Sequence, residues 1–167
     1  MADIHQQNKA VVAQLSAALY DLDPVALPKQ MAACLAPDCA IHFTHPFEDL
    51  TGPEALHDVV YRPLIEAIPD LERREFIVMA GPSEGGTHWV GCGGHYVGVF
   101  EQPWLDIPPT FQAVAMRFHE FFRIEGDRIV EIQALWDIPQ LMLQARAWPL
   151  APSLGVEWMA PAPSHHN

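Results

Sequence analysis

The chain has 167 residues, enough for one domain with a substantial buried core. Half of its residues are hydrophobic and 18% are charged, a globular composition that excludes a disordered chain. Its formal charge of -12 argues against nucleic acid or an anionic membrane surface as partner, since both require a concentrated basic patch.

The three cysteines, Cys34, Cys39 and Cys92, are an odd count with no close-spaced framework. They predict free thiols and a reducing, cytoplasmic setting. The first eight residues lack a basic start followed by an apolar run, so no secretory signal is expected. Apolar stretches fall short of the roughly 20 residues that span a bilayer, and the expectation is a soluble protein with no membrane partner.

Ile4, Val11, Val12, Leu15, Ala18, Leu19 and Leu22 recur at three- and four-residue steps, the period of an amphipathic helix. Asp23-Pro24 reads as an N-cap with proline in the first turn of a second helix, carried by Leu27, Met31, Cys34 and Leu35. Ala36-Pro37-Asp38 stops it, and Ile41 to Phe47 is a short strand. Thr51-Gly-Pro-Glu54 has the form of a capping box opening a third helix, which Pro63 should kink or break.

After Asp70 the pattern becomes strand-like, over Arg74–Ala80, His88–Phe100, Gln112–Ile124 and Arg128–Asp137, with a hairpin turn at Glu125-Gly126-Asp127. Gly91, Gly93, Gly94 and Gly98 crowd the second of these strands, as a sharply curved sheet or a close approach of ligand or backbone requires. The loop Gln102–Pro109 carries three prolines and Trp104. A last helix runs from Pro139 to Ala147, and the proline-rich stretch 149–167 reads as a tail after a domain over 1–148. Helices first and long strands afterwards exclude an alternating parallel βαβ fold. They predict an α+β domain whose amino-terminal helices cover a curved, mainly antiparallel sheet around a small-molecule pocket.

The residues His45-Pro-Phe47 with Asp49, Gly52-Pro-Glu-Ala-Leu56, Gly94-His-Tyr-Val-Gly98 with Phe100, Ile107-Pro-Pro-Thr110 and Arg117 through Glu131, closing on Asp137, are similar in kind and order to the SnoaL-like polyketide cyclase branch of the nuclear transport factor 2-like superfamily. The resemblance runs from about Val11 to Gln144 and implies a cone-shaped, cystatin-like α+β barrel with a pocket for a hydrophobic ligand. It also implies frequent homodimers through the sheet and no obligatory cofactor. In such cyclases an Asp on the last long strand acts as general acid/base for aldol ring closure with help from a His; Asp137 matches the Asp by position, and His119 is the nearest match for the His.

Read residue by residue, Asp137 is flanked by Trp136 and Ile138, and a desolvated carboxylate gains basicity. The same residue can equally cap the helix that begins at Ile138-Pro139. Strand alternation groups His119 with Phe121 and Arg123, and Asp137 with Gln133, a candidate ligand contact. His95 and Tyr96, among small residues, and Trp104, on its stiff loop over the pocket mouth, are further candidate contacts, and His45 joins them from the family motif. His42 and His45 fall on opposite strand faces, so no metal site is expected. The alternatives are a non-catalytic binding protein and a hydrolase, the latter needing a carboxylate pair such as Glu131 with Asp137.

Overall fold

The computed structural model describes residues 3–149 and Leu154; the stretch read as a tail lies almost wholly outside the described residues. Helix α1 spans Ile4–Asp21 and is capped by Asp3, whose carboxylate accepts the amide of His5. Val12, Leu15, Ala18 and Leu19 face the core, and burying each of the larger ones contributes about 1.5–3 kcal/mol. Asp23 accepts the amides of Val25 and Ala26 in the turn that leads to α2, Leu27–Cys34.

Strand β1 starts at once, at Leu35–His42, several residues before the position the sequence suggests. Its Leu35, Cys39 and Ile41 are buried, so alternation inside the core, not β-branched content, sets its start. Strand β2, Asp49–Thr51, pairs back onto it. Thr51 makes no side-chain cap bond to α3 (Gly52–Ala55), which corrects the capping-box expectation: Thr51 is held in the ladder opposite Ala40 instead. Gly52 turns the chain there with φ +85°, and a Cβ at that position would sit 2.7 Å from the carbonyl oxygen of Pro37.

The break expected at Pro63 takes a specific form. Leu56–Tyr61 is a π-helical segment in which the amide of Arg62 reaches five residues back to His57 before α4, Arg62–Ala67, begins. A widened turn just ahead of a residue with no N–H is a usual way to absorb the lost donor.

Strands β3 (Glu72–Pro82), β4 (His88–Val99), β5 (Ala113–Glu125) and β6 (Arg128–Trp136) form an antiparallel meander, and β1 joins β6 in parallel. The order β2-β1-β6-β5-β4-β3 is a curved, six-stranded mixed sheet that does not close. Gly126, at φ +60°, makes the tight turn between β5 and β6. Helix α1 lies on β3 and β4, and helix α5, Ile138–Gln144, follows β6. One apolar core joins α1, α2, the third-helix region and the inner sheet face.

Gly94 explains the bend in one place. Phe76 is bulged out of β3 between Glu75 and Ile77, and β3 closes so tightly on β4 that a Cβ on Gly94 would strike the Arg74 carbonyl oxygen. Among the described residues no helix is long and apolar enough to cross a membrane.

Candidate functional site

Alternation along β5 places Phe118, Glu120 and Phe122 inside the cone and His119 and Phe121 outside it. Glu120 therefore enters an aromatic interior, and Arg73 of β3 meets it there. Arg73 Nη2 lies 2.7 Å from Glu120 Oε1, and the guanidinium stacks 4.0 Å above the Phe118 ring centre. Arg73 Nη1 donates to the Tyr96 hydroxyl at 2.7 Å, and Trp136 Nε1 donates to Glu120 Oε2 at 3.1 Å. The Tyr61 and Tyr96 hydroxyls are 3.1 Å apart, and Tyr61 also donates to Glu120. Burial, reinforced by the Glu120 charge, pushes the Tyr61 phenol well above its ordinary range, and burial likewise raises that of Tyr96. Both phenols thus hold their protons and act as donors. The Arg73 guanidinium stays charged: burial opposes that charge, but the Glu120 carboxylate together with the Tyr96 and Tyr61 hydroxyls outweighs it.

Above this polar tier lies an aromatic one. Trp136 meets Phe43 edge-on at 4.7 Å and contacts Phe47, Tyr61 and Tyr96, with Trp104 6.5 Å away. Outside it, a cavity of about 660 Å3 opens between the loop at Thr44–Pro46, the turn Leu105–Ile107 and α5, where Ile138, Pro139 and Met142 line it. Its lining is mainly apolar. His45 and Asp106 are its titratable residues, and the His45 ring is held through Nδ1 by Glu48 Oε1 at 2.5 Å.

The sequence-derived candidates divide between these places. His45 lines the cavity. Trp104 is not suspended over the mouth but turned inward and buried, because its ring completes the aromatic tier against Phe47 and Trp136. Tyr96 lies in the polar tier beneath, too deep to line this cavity.

His119 is corrected to the outer face, at the edge of a shallow groove of about 410 Å3. The reason is register: Phe118 and Phe122 take the inner positions, so the intervening odd residues face out. Gln133 is also corrected to the outer face, exposed and bonded to Glu131. His95 faces outward as well, covered by the Phe76 ring at 5.6 Å. Burial lowers its affinity for a proton, Arg117 and His119 lower it further, and Asp137 partly offsets them. Arg117, His119 and Asp137 thus all lie within electrostatic reach of His95.

Asp137 is half-buried, and its carboxylate caps α5 by accepting the Gln140 amide at 3.1 Å. It sits immediately before Ile138 and Pro139 of the cavity wall. Glu131 is taken up by Arg123 and Gln133, and six residue steps along the strand, about 20 Å, separate it from Asp137. A hydrolytic pair of these two carboxylates is therefore ruled out by distance.

The family model for SnoaL-like polyketide cyclase matches residues 10–145. The chain belongs to that family. No curated protein matches it in sequence. Among solved structures, AclR of Streptomyces galilaeus, a candidate hydroxylase, is similar with a TM-score of 0.71 and 18% identity over 90% of this chain and 91% of that one. A candidate SnoaL-like polyketide cyclase from Jannaschia sp. CCS1 has a TM-score of 0.70 and 21% identity, over 89% and 98%. IdmH of Streptomyces antibioticus, a candidate polyketide cyclase, has 0.64 and 19%, over 83% and 97%. These identities establish the shared cone fold.

For this SnoaL-like chain the cavity, unlike the packed polar tier, leaves open space against its side chains. Among the described residues no three His, Cys, Asp or Glu side chains cluster to hold a metal. Glu120 and Arg73 escaped the sequence reading. Glu120 leaves a trace there, as a carboxylate on the Phe118–Phe122 face, and such a residue requires a buried partner. Arg73, between two other charged residues, leaves none.

Proposed function

We propose that this SnoaL-like protein moves a proton on a hydrophobic, carbonyl-bearing small molecule, in an aldol-type cyclisation or a related isomerisation, with the substrate in the cavity beside α5. Family membership supports a role of the cyclase or isomerase type. The observation that carries the finer reading is an apolar cavity of about 660 Å3 whose lining residues Ile138 and Pro139 directly follow Asp137, the carboxylate that caps α5. Asp137 serves as the acid/base. Ring closure also needs a donor for the oxygen on which charge develops, and we assign that part to His45, which lines the cavity and is oriented by Glu48.

The test is exchange of substrate α-protons for deuterium, followed by NMR with a panel of aryl and alkyl diketones. Wild type should accelerate exchange for at least one member, and Asp137→Asn should slow it by about 10²–10⁴. Equal rates in the two proteins remove Asp137 from the mechanism. Tight binding of the panel with no exchange in any case replaces the enzyme by a binding protein of the same fold.

We also propose a homodimer through the outer sheet face, as family membership leads one to expect. Phe76, Ile77 and Met79 of β3, Phe121 of β5 and Leu135 of β6 stand exposed there, a set that water alone would cover poorly. Sedimentation equilibrium should give twice the chain mass for wild type and the chain mass for Phe121→Glu; a monomeric wild type ends the proposal.

A further inference from the structure

We infer that Trp148 sets specificity in the cavity beside α5, its indole stacking on a flat, unsaturated ring that carries the substrate carbonyl. The inference rests on that cavity being the substrate site and narrows the ligand to one class. The tryptophans occupy different settings. Trp104 and Trp136 are 3% and 1% exposed, sealed in the aromatic tier with no face left for a ligand. Trp89 borders the groove on the outer sheet face and donates to Thr87. Among the described tryptophans Trp148 alone lines the cavity beside α5, and it is half-buried.

The way α5 ends places it there. The Arg146 amide donates to the Leu143 carbonyl at 3.0 Å, and the Ala147 amide donates to the Met142 carbonyl at 2.8 Å. Arg146 between them is left-handed, at φ 57°. This pair of bonds around a left-handed residue is the Schellman ending, which satisfies the last carbonyls of a helix and turns the chain aside. Trp148 follows two residues later and lines the same cavity as Met142 of the last helical turn. It is therefore held at a defined stop and not on a fraying end.

The other lining residues cannot choose between rings. Ile138, Pro139 and Leu105 offer apolar surface to any hydrocarbon of fitting size, whereas His45 and Asp106 can meet only polar atoms. An indole differs, because its π face favours the edge or offset face of another π system over a saturated ring of similar area. Met142, unbranched and polarizable, can adapt its shape to a ring lying against Trp148. The substrate selected in this way is an aryl or conjugated ketone, as against its saturated counterpart.

The experiment titrates the full chain with 1-tetralone and with 1-decalone, its saturated counterpart, and follows the Ile138 and Met142 methyl signals by NMR. Wild type should prefer 1-tetralone. Trp148→Leu should reduce that preference about fivefold by weakening 1-tetralone alone, and Trp148→Phe should restore most of it. A preference unchanged in Trp148→Leu, or equal weakening of both probes, overturns the inference and leaves the cavity reading intact. A second measurement needs no variant: in wild type, NOEs should connect the Trp148 ring protons to the aromatic protons of 1-tetralone. Their absence from a complex that does shift Ile138 and Met142 also overturns the inference. If neither probe moves those methyls, the cavity reading falls and takes this inference with it.

Discussion

Arg73 and Glu120 meet at 2.7 Å with both side chains only 2% exposed, an ion pair sealed between the Phe118 ring and the two buried tyrosines. It ties β3 to β5 across the intervening β4, so the far edge of the sheet is fixed to its middle. A second carboxylate, Glu75, shares Arg73 and in turn accepts the Ser16 hydroxyl of α1 at 3.0 Å. The network therefore sets how the helical layer sits on the sheet.

Breaking such a pair is far more damaging than replacing it. Arg73→Met and Glu120→Leu, made singly, should each lower unfolding free energy in urea by about 3–5 kcal/mol, because each leaves a buried charge. The double variant should lose clearly less than the sum. Additive losses would mean that the two charges do not depend on each other.

Gly94→Ala should be among the most harmful small substitutions in the chain. Its Cβ would strike the Arg74 carbonyl oxygen and lie 2.7 Å from Phe118 Cζ, so β3 must detach or Phe118 must leave the core. A loss of about 3 kcal/mol is expected from thermal and urea unfolding. Gly81→Ala, where a Cβ meets nothing within 4 Å, is the control and should stay within about 0.5 kcal/mol. Similar losses in both would discount the close strand approach.

His95 makes stability depend on pH. Burial, then the Arg117 and His119 charges, hold its folded pKa below the ordinary histidine value, with Asp137 opposing. The unfolded chain therefore takes up this proton first, at about pH 6.5. Its contribution is complete above that pH and is lost progressively as the pH falls through about 6.5 toward the lower folded value. Unfolding curves for wild type and His95→Gln between pH 7.5 and 5 should show a shallower acid-side decline in the variant. Parallel declines would assign the dependence to other groups.

The three thiols should be silent in the native state. Burial pushes Cys39 and Cys92 up to about 12, helped by Asp38 and Glu131 at the first and by Glu75 and Glu120 at the second, and burial also raises Cys34. Since only the thiolate reacts, Ellman's reagent at pH 8 should label the native protein slowly and all three cysteines promptly in guanidinium. Prompt native labelling of one thiol would reveal an opening of the core at that residue.

Much of the architecture was legible because periodicity reports local geometry. The 3.6-residue recurrence of Val12, Leu15 and Leu19 marks α1, and the alternation of Phe118 and Phe122 with His119 and Phe121 marks β5. The start of β1 was less legible, since Leu35 and Ala36 suit a helix as well as a strand and only pairing with β6 decides between them. Asp137 was read as both reagent and cap; its cap bond is present, and its chemistry rests with the exchange experiment.

By itself the sequence determined the layer order, the long strands of the meander and the final hairpin at Gly126, because these follow from backbone preference and short-range pattern. Only the tertiary structure decided which face of each strand is the inside. Alternation sorts residues into two sets but does not label them; the label comes when α1 and the aromatic tier cover one face and exclude water from it. That choice sent His119, His95 and Gln133 outward and Glu120 inward, where burial without Arg73 would be too unfavourable to survive.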